Sequence, residues 1–498
     1  MTSLDTQSAS RPRFSDRDTV FVDGEWVPAT GDRTFQVIDP STEEVVARVR
    51  EASASDVARA VGAARAAFDG GPWAASSPGE RADILDVFAD ALLARSEDLA
   101  QAGTAEIGMP ITMSRLAHSD AAIGYLRYYA EMVRTFPFRD DRPRQDGKVT
   151  RVLHEPVGPV AAIVPFNGAF PVACMKLAPA LAAGCTVVLK SSPETPLAVN
   201  ILAEVAGELT AAGVLPAGVV NVVVADVEGS TALVADPRID KITFTGSTAV
   251  ARQIVATAGE RIARVTLELG GKSAALVLDD APLDETVTSL LLGGLINSGQ
   301  ACFGLTRVLV SERRRDELVD AMKAQLASTF VVGDSHDSNT TFGPLAGPRH
   351  RDRVESYVAL AIEEGARVAA GGIRPAHLPR GFFFEPTILV DVENSMRIAQ
   401  EEIFGPVVSV ITYRDVDHAV AIANDSPYGL GGAVFSADAE QGFEVARRLR
   451  TGTVSLNGFV GAHVTTPFGG YKQSGLGREG GAEGLLPFLE VKSVHTQF

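Results

Sequence analysis

Cysteine is scarce in this 498-residue chain, which has only Cys174, Cys185 and Cys302. An odd and sparse set argues against a disulfide framework and predicts a reducing compartment, the cytoplasm. Positive charge is also short, with 45 Lys and Arg against 62 Asp and Glu. The resulting net charge of -17 argues against nucleic acid or an anionic membrane as a partner, because both need clustered basic side chains. It leaves room for an anionic cofactor held by local dipoles. Long apolar runs are missing too. The uncharged stretch 156–175 is broken by Pro156, Pro159, Pro165, Asn167 and Pro171, and the stretch 286–306 by Thr286, Ser289, Asn297, Ser298 and Gln300. Both read as buried segments of a soluble protein, since a membrane span is predominantly apolar. The opening residues lack a basic-then-apolar export pattern, and residues 1–18 are expected to form a disordered lead-in. Internal repeats and low-complexity tracts are absent.

The length predicts two or three domains. Short strands are expected at 21–27 and 34–38, and helices from Ser53 or Ser55 to about Phe68, over 81–103 and over 113–134. The stretch 134–155 alternates charge, Pro and short apolar pieces around Gln145-Asp146-Gly147, which suggests a hairpin. Such a ribbon serves as a surface flap or as an oligomerisation arm. From Val157 strands and helices alternate as far as Leu269, including a helix started by Ser192 and Pro193. This rhythm predicts a doubly wound parallel sheet. A second α/β unit follows Lys272, and 488–496 reads as a final strand able to pair with the ribbon. The expected division is 19–135 with 157–269 for one unit, 270–484 for the second, and 136–156 with 485–498 for the arm.

Two apparent phosphate motifs fail. Gly475-x-Gly477-x-x-Gly480 has no buried strand feeding it and no amphipathic helix after it, and Gly271-Lys272-Ser273 lacks the upstream glycine of a P-loop because that position is Thr266. Phe244-Thr245-Gly246-Ser247-Thr248 is better placed, between a strand and a helix whose first N–H groups and dipole suit a pyrophosphate. An ordinary capped helix explains the same residues equally well. Asn167, after a buried strand, offers an amide to a developing oxyanion, with a turn Asn as the plain alternative. The stretch 267–307 opens on Glu268 and closes around Cys302. A thiol can attack a carbonyl and a carboxylate can take a proton from water, although either residue alone reads as structural.

Taken together these residues resemble the aldehyde dehydrogenase superfamily from about Phe21 to Phe498. The resemblance is carried by Leu267-Glu268-Leu269-Gly270-Gly271-Lys272, by Gly299-Gln300-Ala301-Cys302 with Arg307, and by Pro165-x-Asn167. Glu401-Glu402-Ile403-Phe404-Gly405-Pro406, Tyr428-Gly429-Leu430 and Pro467-Phe468-Gly469-Gly470 follow in the family's order. The resemblance implies a Rossmann-like cofactor domain, an α/β catalytic domain and a small β oligomerisation arm. It implies oxidation of an aldehyde to the acid by the hydrolytic, non-CoA-acylating route. Cys302 would be the nucleophile, Asn167 the oxyanion donor and Glu268 the base, with Lys176 and Glu479 as a proton path behind it. The expected cofactor is NAD, with NADP as the alternative. Its contacts would be Ile163, Val164, Pro165, Phe166, Lys190, Pro193, Glu194, Gly229, Phe244, Thr245, Gly246, Ser247, Leu269, Gly270, Glu402 and Phe404. Gly168, Met175, Phe303 and Phe468 would meet the substrate. No metal is expected, and the assembly implied is a homotetramer or homodimer.

The chain departs from the family pattern in three places. Phe166 stands where Trp is common. Gly168 and Ala169 stand where a bulky residue and Pro are usual, which suggests a wider tunnel for a bulky, branched or aromatic aldehyde. Pro193 stands where some NAD-preferring members carry a ribose-binding Glu, with Glu194 beside it. Arg264, Arg478 and Glu490 match an intersubunit charge cluster of some members, with exposed surface charge as the plain alternative. A CoA-acylating enzyme is the runner-up, disfavoured because Glu268 is present. A nicotinamide-independent cysteine hydrolase is the alternative of another class, and would need a His near Cys302 after folding.

Overall fold

Strands buried on both faces read as near-continuous apolar runs, and such runs alternate here with helices. The computed structural model describes residues 14–497. Its larger sheet has eight strands in the spatial order Gly475–Leu476, Arg264–Glu268, Lys241–Thr245, Val160–Ile163, Val187–Ser191, Val220–Val224, Thr19–Val22 and Glu25–Pro28. The pairings from Arg264–Glu268 across to Val220–Val224 are parallel, and the outer ones are antiparallel. The chain moves outward from Val160–Ile163 on one side and returns to Lys241–Thr245 on the other. A crevice opens beyond the carboxyl ends of strands at such a reversal. Asn167 and Ser247 follow those two strand ends.

The second sheet runs Arg367–Ala370, Thr387–Val390, Val407–Tyr413, Arg307–Ser311, Ala274–Val277, Gly431–Phe435 and Thr453–Leu456, parallel except for its first pair. Residues 269–273 pass directly from the carboxyl end of Arg264–Glu268 into the amino end of Ala274–Val277. The two sheets therefore meet end to end, with Cys302 just before Arg307–Ser311 on the amino side of the second. A third sheet joins the ribbon Arg139–Pro143 and Val149–Pro156 to the final strand Leu489–His495. Among the described residues, no helix is long and apolar enough to cross a membrane.

Several local expectations change. The lead-in expected over 1–18 lies partly outside the described residues. Its last part is tied down, since Arg17 exchanges backbone hydrogen bonds with Arg48 and Arg50, pairs with Glu204 and lies over the Trp26 ring. The helix expected over 81–103 is two, Pro78–Leu93 and Ser96–Ile107, broken where Arg95 leaves helical geometry. The one expected over 113–134 is likewise two, Ile111–Ala117 and Asp120–Thr135. Residues 475–476, grouped with the second unit, pair instead with Arg264–Glu268 of the first sheet. Arg264 pairs with Glu490 inside this chain, while Arg478 donates to the Gly470 and Gly477 carbonyls.

The helix expected to start at Ser192 begins at Leu197. Residues 192–195 form a turn, with the Thr195 N–H bonded to the Ser192 carbonyl. The orphan N–H groups of Leu197 and Ala198 are then met by the buried Glu106 carboxyl, at 2.6 and 3.3 Å. Burial pushes Glu106 up to about 8, against the pull of those two N–H donors. A neutral carboxyl still accepts both bonds, so the cap persists on either side of that value. We expect Glu106→Ala, which strands two buried donors, to cost about 1–3 kcal/mol in denaturant unfolding. Glu106→Gln, which keeps an acceptor, should lose clearly less, and equal loss in the two variants would contradict this cap.

Candidate active site

Cys302 sits in a turn that regular structure cannot make. The helix Leu283–Leu295 ends, and Asn297, Ser298 and Gly299 follow at φ of 50°, 55° and 74°. Three successive left-handed residues turn the chain, and side-chain bonds from Asn297, Ser298 and the following Gln300 hold the run. The Asn297 amide donates to the Asn167 carbonyl at 3.1 Å, and the Ser298 hydroxyl donates to the Gly343 carbonyl at 2.8 Å. The Gln300 amide donates to the Asn297 carbonyl at 3.2 Å and its oxygen accepts from the Ala346 N–H at 3.0 Å. The Asn167 amide donates to the Gln300 carbonyl at 2.9 Å, which locks its orientation toward the cysteine turn. A Cβ on Gly271 would lie 2.5 Å from the Cys302 carbonyl oxygen, so glycine allows this turn to rest on the Glu268 strand end.

Cys302 is partly open to a cleft that also reaches Glu268 and Asn167. Ile163, Val164, Pro165, Phe166, Lys190, Glu194, Phe244, Thr245, Gly246, Ser247, Leu269, Gly270, Glu402 and Phe404 line its first arm. Gly168, Met175, Phe303 and Phe468 line its second. Two expected contacts stand apart. Pro193 is outside the lining, and Gly229 belongs to the helix Val227–Ala235 where it packs close to Ala225 and Ala52. Lys176 and Glu479 lie beneath the cleft, joined at 2.6 Å, and both meet the Thr243 hydroxyl.

Charge in this site is mostly desolvated. The Glu268 side chain is buried and neither oxygen has a hydrogen-bond partner. Burial, and then the Glu479 charge, raise it well above the ordinary carboxylate range, against Lys176 and Arg478. A Cβ on Gly469 would lie 2.6 Å from its Oε1, which places the carboxyl against the C-terminal segment. The Cys302 thiol is pushed up by burial and by the Glu402 and Glu268 charges, while the N–H groups of Cys302 and Phe303 favour its thiolate. Burial raises Glu402 to about 7, opposed by the Gly271 N–H and by Lys272 and Arg353. Burial lowers Lys190 to about 8 against the Asp226 and Glu194 charges. Burial would raise Glu194, yet His350, Arg349 and Lys190 together hold it below its ordinary value.

The first arm fits a dinucleotide. It combines the start of the helix Thr248–Glu260, capped by the Ser247 side chain, with the ammonium of Lys190 and the carboxyl of Glu402. The second arm is apolar. Phe303 stacks on Phe459 at 5.6 Å and meets Phe468 edge-on at 6.0 Å. Several lining residues escape a reading of the sequence. Asn297, Asp226 and His350, stacked on Phe166 at 4.3 Å, stand in no local pattern. Thr243 had a signal, since polar residues alternate along Lys241–Thr245 in an otherwise buried strand.

A sequence model of the aldehyde dehydrogenase family matches residues 26–494. The chain is 46% identical over 483 residues to the geranial dehydrogenase of Castellaniella defragrans, covering 96% of this chain and 99% of that one. It is 40% identical over 477 residues to a 3-succinoylsemialdehyde-pyridine dehydrogenase of a Pseudomonas species, covering 95% and 97%. An aldehyde dehydrogenase of Mycobacterium tuberculosis, solved with NAD+, superposes with a TM-score of 0.93 at 42% identity, covering 97% and 98%. A variant aldehyde dehydrogenase of Pseudomonas syringae, solved with NAD+ and octanal, superposes with a TM-score of 0.91 at 38% identity, covering 96% of each chain.

The thiol environment sets a measurable outcome. Cys174 and Cys185 are fully buried, so iodoacetamide should modify Cys302 alone in the folded, ligand-free protein. Because its thiol is pushed up, the rate should keep rising with pH, approaching tenfold per unit, up to about pH 10. A plateau near neutral pH would contradict the raised thiol.

Proposed function

The chain belongs to the aldehyde dehydrogenase family, and we propose that it oxidises bulky apolar, branched or aromatic aldehydes to the free acids with NAD+. The observation that carries the reading is the convergence of the Cys302 thiol, the Asn167 amide and the Glu268 carboxyl on one cleft. Cys302, its thiol proton lost to solvent, attacks the aldehyde carbon as the thiolate to give a thiohemiacetal oxyanion. That oxyanion is held by the second N–H of the Asn167 amide and by the Cys302 backbone N–H, both oriented before the substrate arrives. NAD+ supplies the hydride acceptor that leaves a thioester on Cys302. Glu268 then takes a proton from water, which attacks the thioester and frees the acid. Burial of the carboxyl suits this role, because a base of raised proton affinity competes for a water proton near neutral pH. The retained Glu268 favours hydrolysis over transfer to CoA. A cysteine hydrolase would need a histidine at the thiol, and the cleft's His350 instead stacks on Phe166 and faces Glu194.

Lys190 and Glu402 would hold the ribose hydroxyls, and the start of the helix after Ser247 the pyrophosphate. Glu194 and Asp226 flank Lys190 in the same arm, and two carboxylates there disfavour an added 2′-phosphate, which favours NAD+ over NADP+. The substrate class rests on the second arm. A Cβ on Gly168 would meet only Val172, at 3.9 Å, so the wall is open where a bulky side chain would narrow it. The relative that acts on geranial, a branched apolar aldehyde, supports that breadth. The strand Leu489–His495, with Val491 and Val494 exposed, supports an arm for homodimer or homotetramer assembly in the cytoplasm.

A panel of aliphatic, aromatic and terpenoid aldehydes with NAD+ and NADP+ tests the reading. Cys302→Ala should abolish reduced nicotinamide formation, and Asn167→Ala should lower kcat by roughly 100- to 1000-fold. Glu268→Gln should give one turnover and stall. Gly168→Phe should lose bulky aldehydes selectively while short ones persist. Undiminished turnover of bulky substrates in that variant would overturn the assigned breadth.

A further inference from the structure

The central strands Lys241–Thr245 and Arg264–Glu268 carry a polar side chain at every second position, Lys241, Thr243 and Thr245 on one and Arg264, Thr266 and Glu268 on the other. The parallel register sets Lys241 beside Arg264, Thr243 beside Thr266 and Thr245 beside Glu268. The intervening Ile242, Phe244 and Leu267 share an apolar cluster on the opposite face. Central parallel strands are ordinarily apolar on both faces. Lys176, Glu479 and Thr243 account for the middle of this polar face, which leaves Lys241.

Lys241 is fully buried, at 0% exposure. Its ammonium donates to the Thr266 hydroxyl at 2.6 Å and lies 4.8 Å from the centre of the Phe488 ring. One neutral hydroxyl and a ring face are a small return for desolvating a cation. The titratable and charged groups around it come from four elements. Cys185, in the turn before Val187–Ser191, and Glu479, in the C-terminal segment, favour its protonated form. Lys176, on the helix Ala169–Ala183, and Arg264, on the adjoining strand, oppose it. Burial is the largest influence and brings the group to about 7.

We propose that Lys241 is a second ammonium of the acid–base array beneath the cleft, acting with Lys176 upon Glu479 so that Glu268 can ionise and accept a proton from water. The inference rests on the reading of Glu268 as the hydrolytic base. Lys241 touches no reacting atom, so it is a positioning residue that works through charge. The Glu479 charge opposes ionisation of Glu268, and Lys176 relieves that opposition. Lys241 shares a strand face with Thr243, whose hydroxyl donates to Glu479, so a second cation there relieves it further. Removing a positive charge raises the proton affinity of nearby carboxyls. The acid limb of thioester hydrolysis therefore moves to higher pH when Lys241 is lost.

The experiment follows reduced nicotinamide formation by the full-length enzyme across pH, separating the first-turnover burst from the steady rate. Lys241→Met should keep the burst, which reports acylation and a folded site. Its steady-state acid limb should move up by roughly half to one pH unit, a loss of about three- to tenfold on the acid side. Thr266→Val, which removes the hydroxyl that accepts from Lys241, should move it the same way by less, and is read in its place if Lys241→Met does not fold. A limb that stays put while the rate falls uniformly would show a structural role and overturn the proposal. A wild-type enzyme that forms no reduced nicotinamide from any aldehyde would overturn the reading of the reaction, and the inference with it.

Discussion

The site depends first on the resting of the Cys302 backbone on Gly271, where a Cβ would lie 2.5 Å from the Cys302 carbonyl oxygen. Two sheets built on separate apolar cores are docked end to end, and this is where their ends touch. The carboxyl end of one supplies Glu268 and the amino end of the other supplies Cys302, so distance between base and thiol is set by backbone. Side chains could not hold it so tightly, because each has rotamers to lose. A β-carbon at 271 would push the cysteine turn away from the strand end and open the seam. The left-handed run 297–299 and the Asn297, Gln300 and Ala346 bonds answer the same need from the other side.

Placing the chemistry on a seam has an electrostatic consequence. Ionisable groups inside the seam are moved away from their ordinary ranges by burial first and by one another second. Glu268 and Cys302 are both disfavoured as anions in the ligand-free protein. A cationic nicotinamide ring in the cleft would favour both anions. Lys241 lies on one face of the sheet for the same reason that the other face is apolar, since strand residues alternate sides, and Lys176 comes from the helix Ala169–Ala183.

Much of this was legible in the sequence because motifs kept their order and spacing. Strand–helix alternation revealed the doubly wound sheet, while Glu268, Asn167 and Cys302 read singly as structural residues and stood out only through the resemblance. What could not be read depended on contacts between distant residues. Glu106 caps a helix 91 positions away, which displaced the expected start from Ser192 to Leu197. His350 reaches the cleft only because its helix docks against Phe166. The breaks at Arg95 and at 118–119 interrupt runs whose apolar spacing continues across them, so periodicity alone could not reveal them. The polar alternation Lys-Ile-Thr-Phe-Thr was visible all along, but it invites notice only once the strand is known to be central.

The C-terminal segment threads back from the second sheet to lie beside Arg264–Glu268, and it brings Glu479 with it. A chain made from its amino end thus acquires Lys176 and Lys241 long before the carboxylate that faces them. Until Glu479 is made, the first sheet can form its apolar face but leaves Lys176 without its carboxylate partner. The nascent protein can therefore assemble its framework early and cannot close its acid–base centre early.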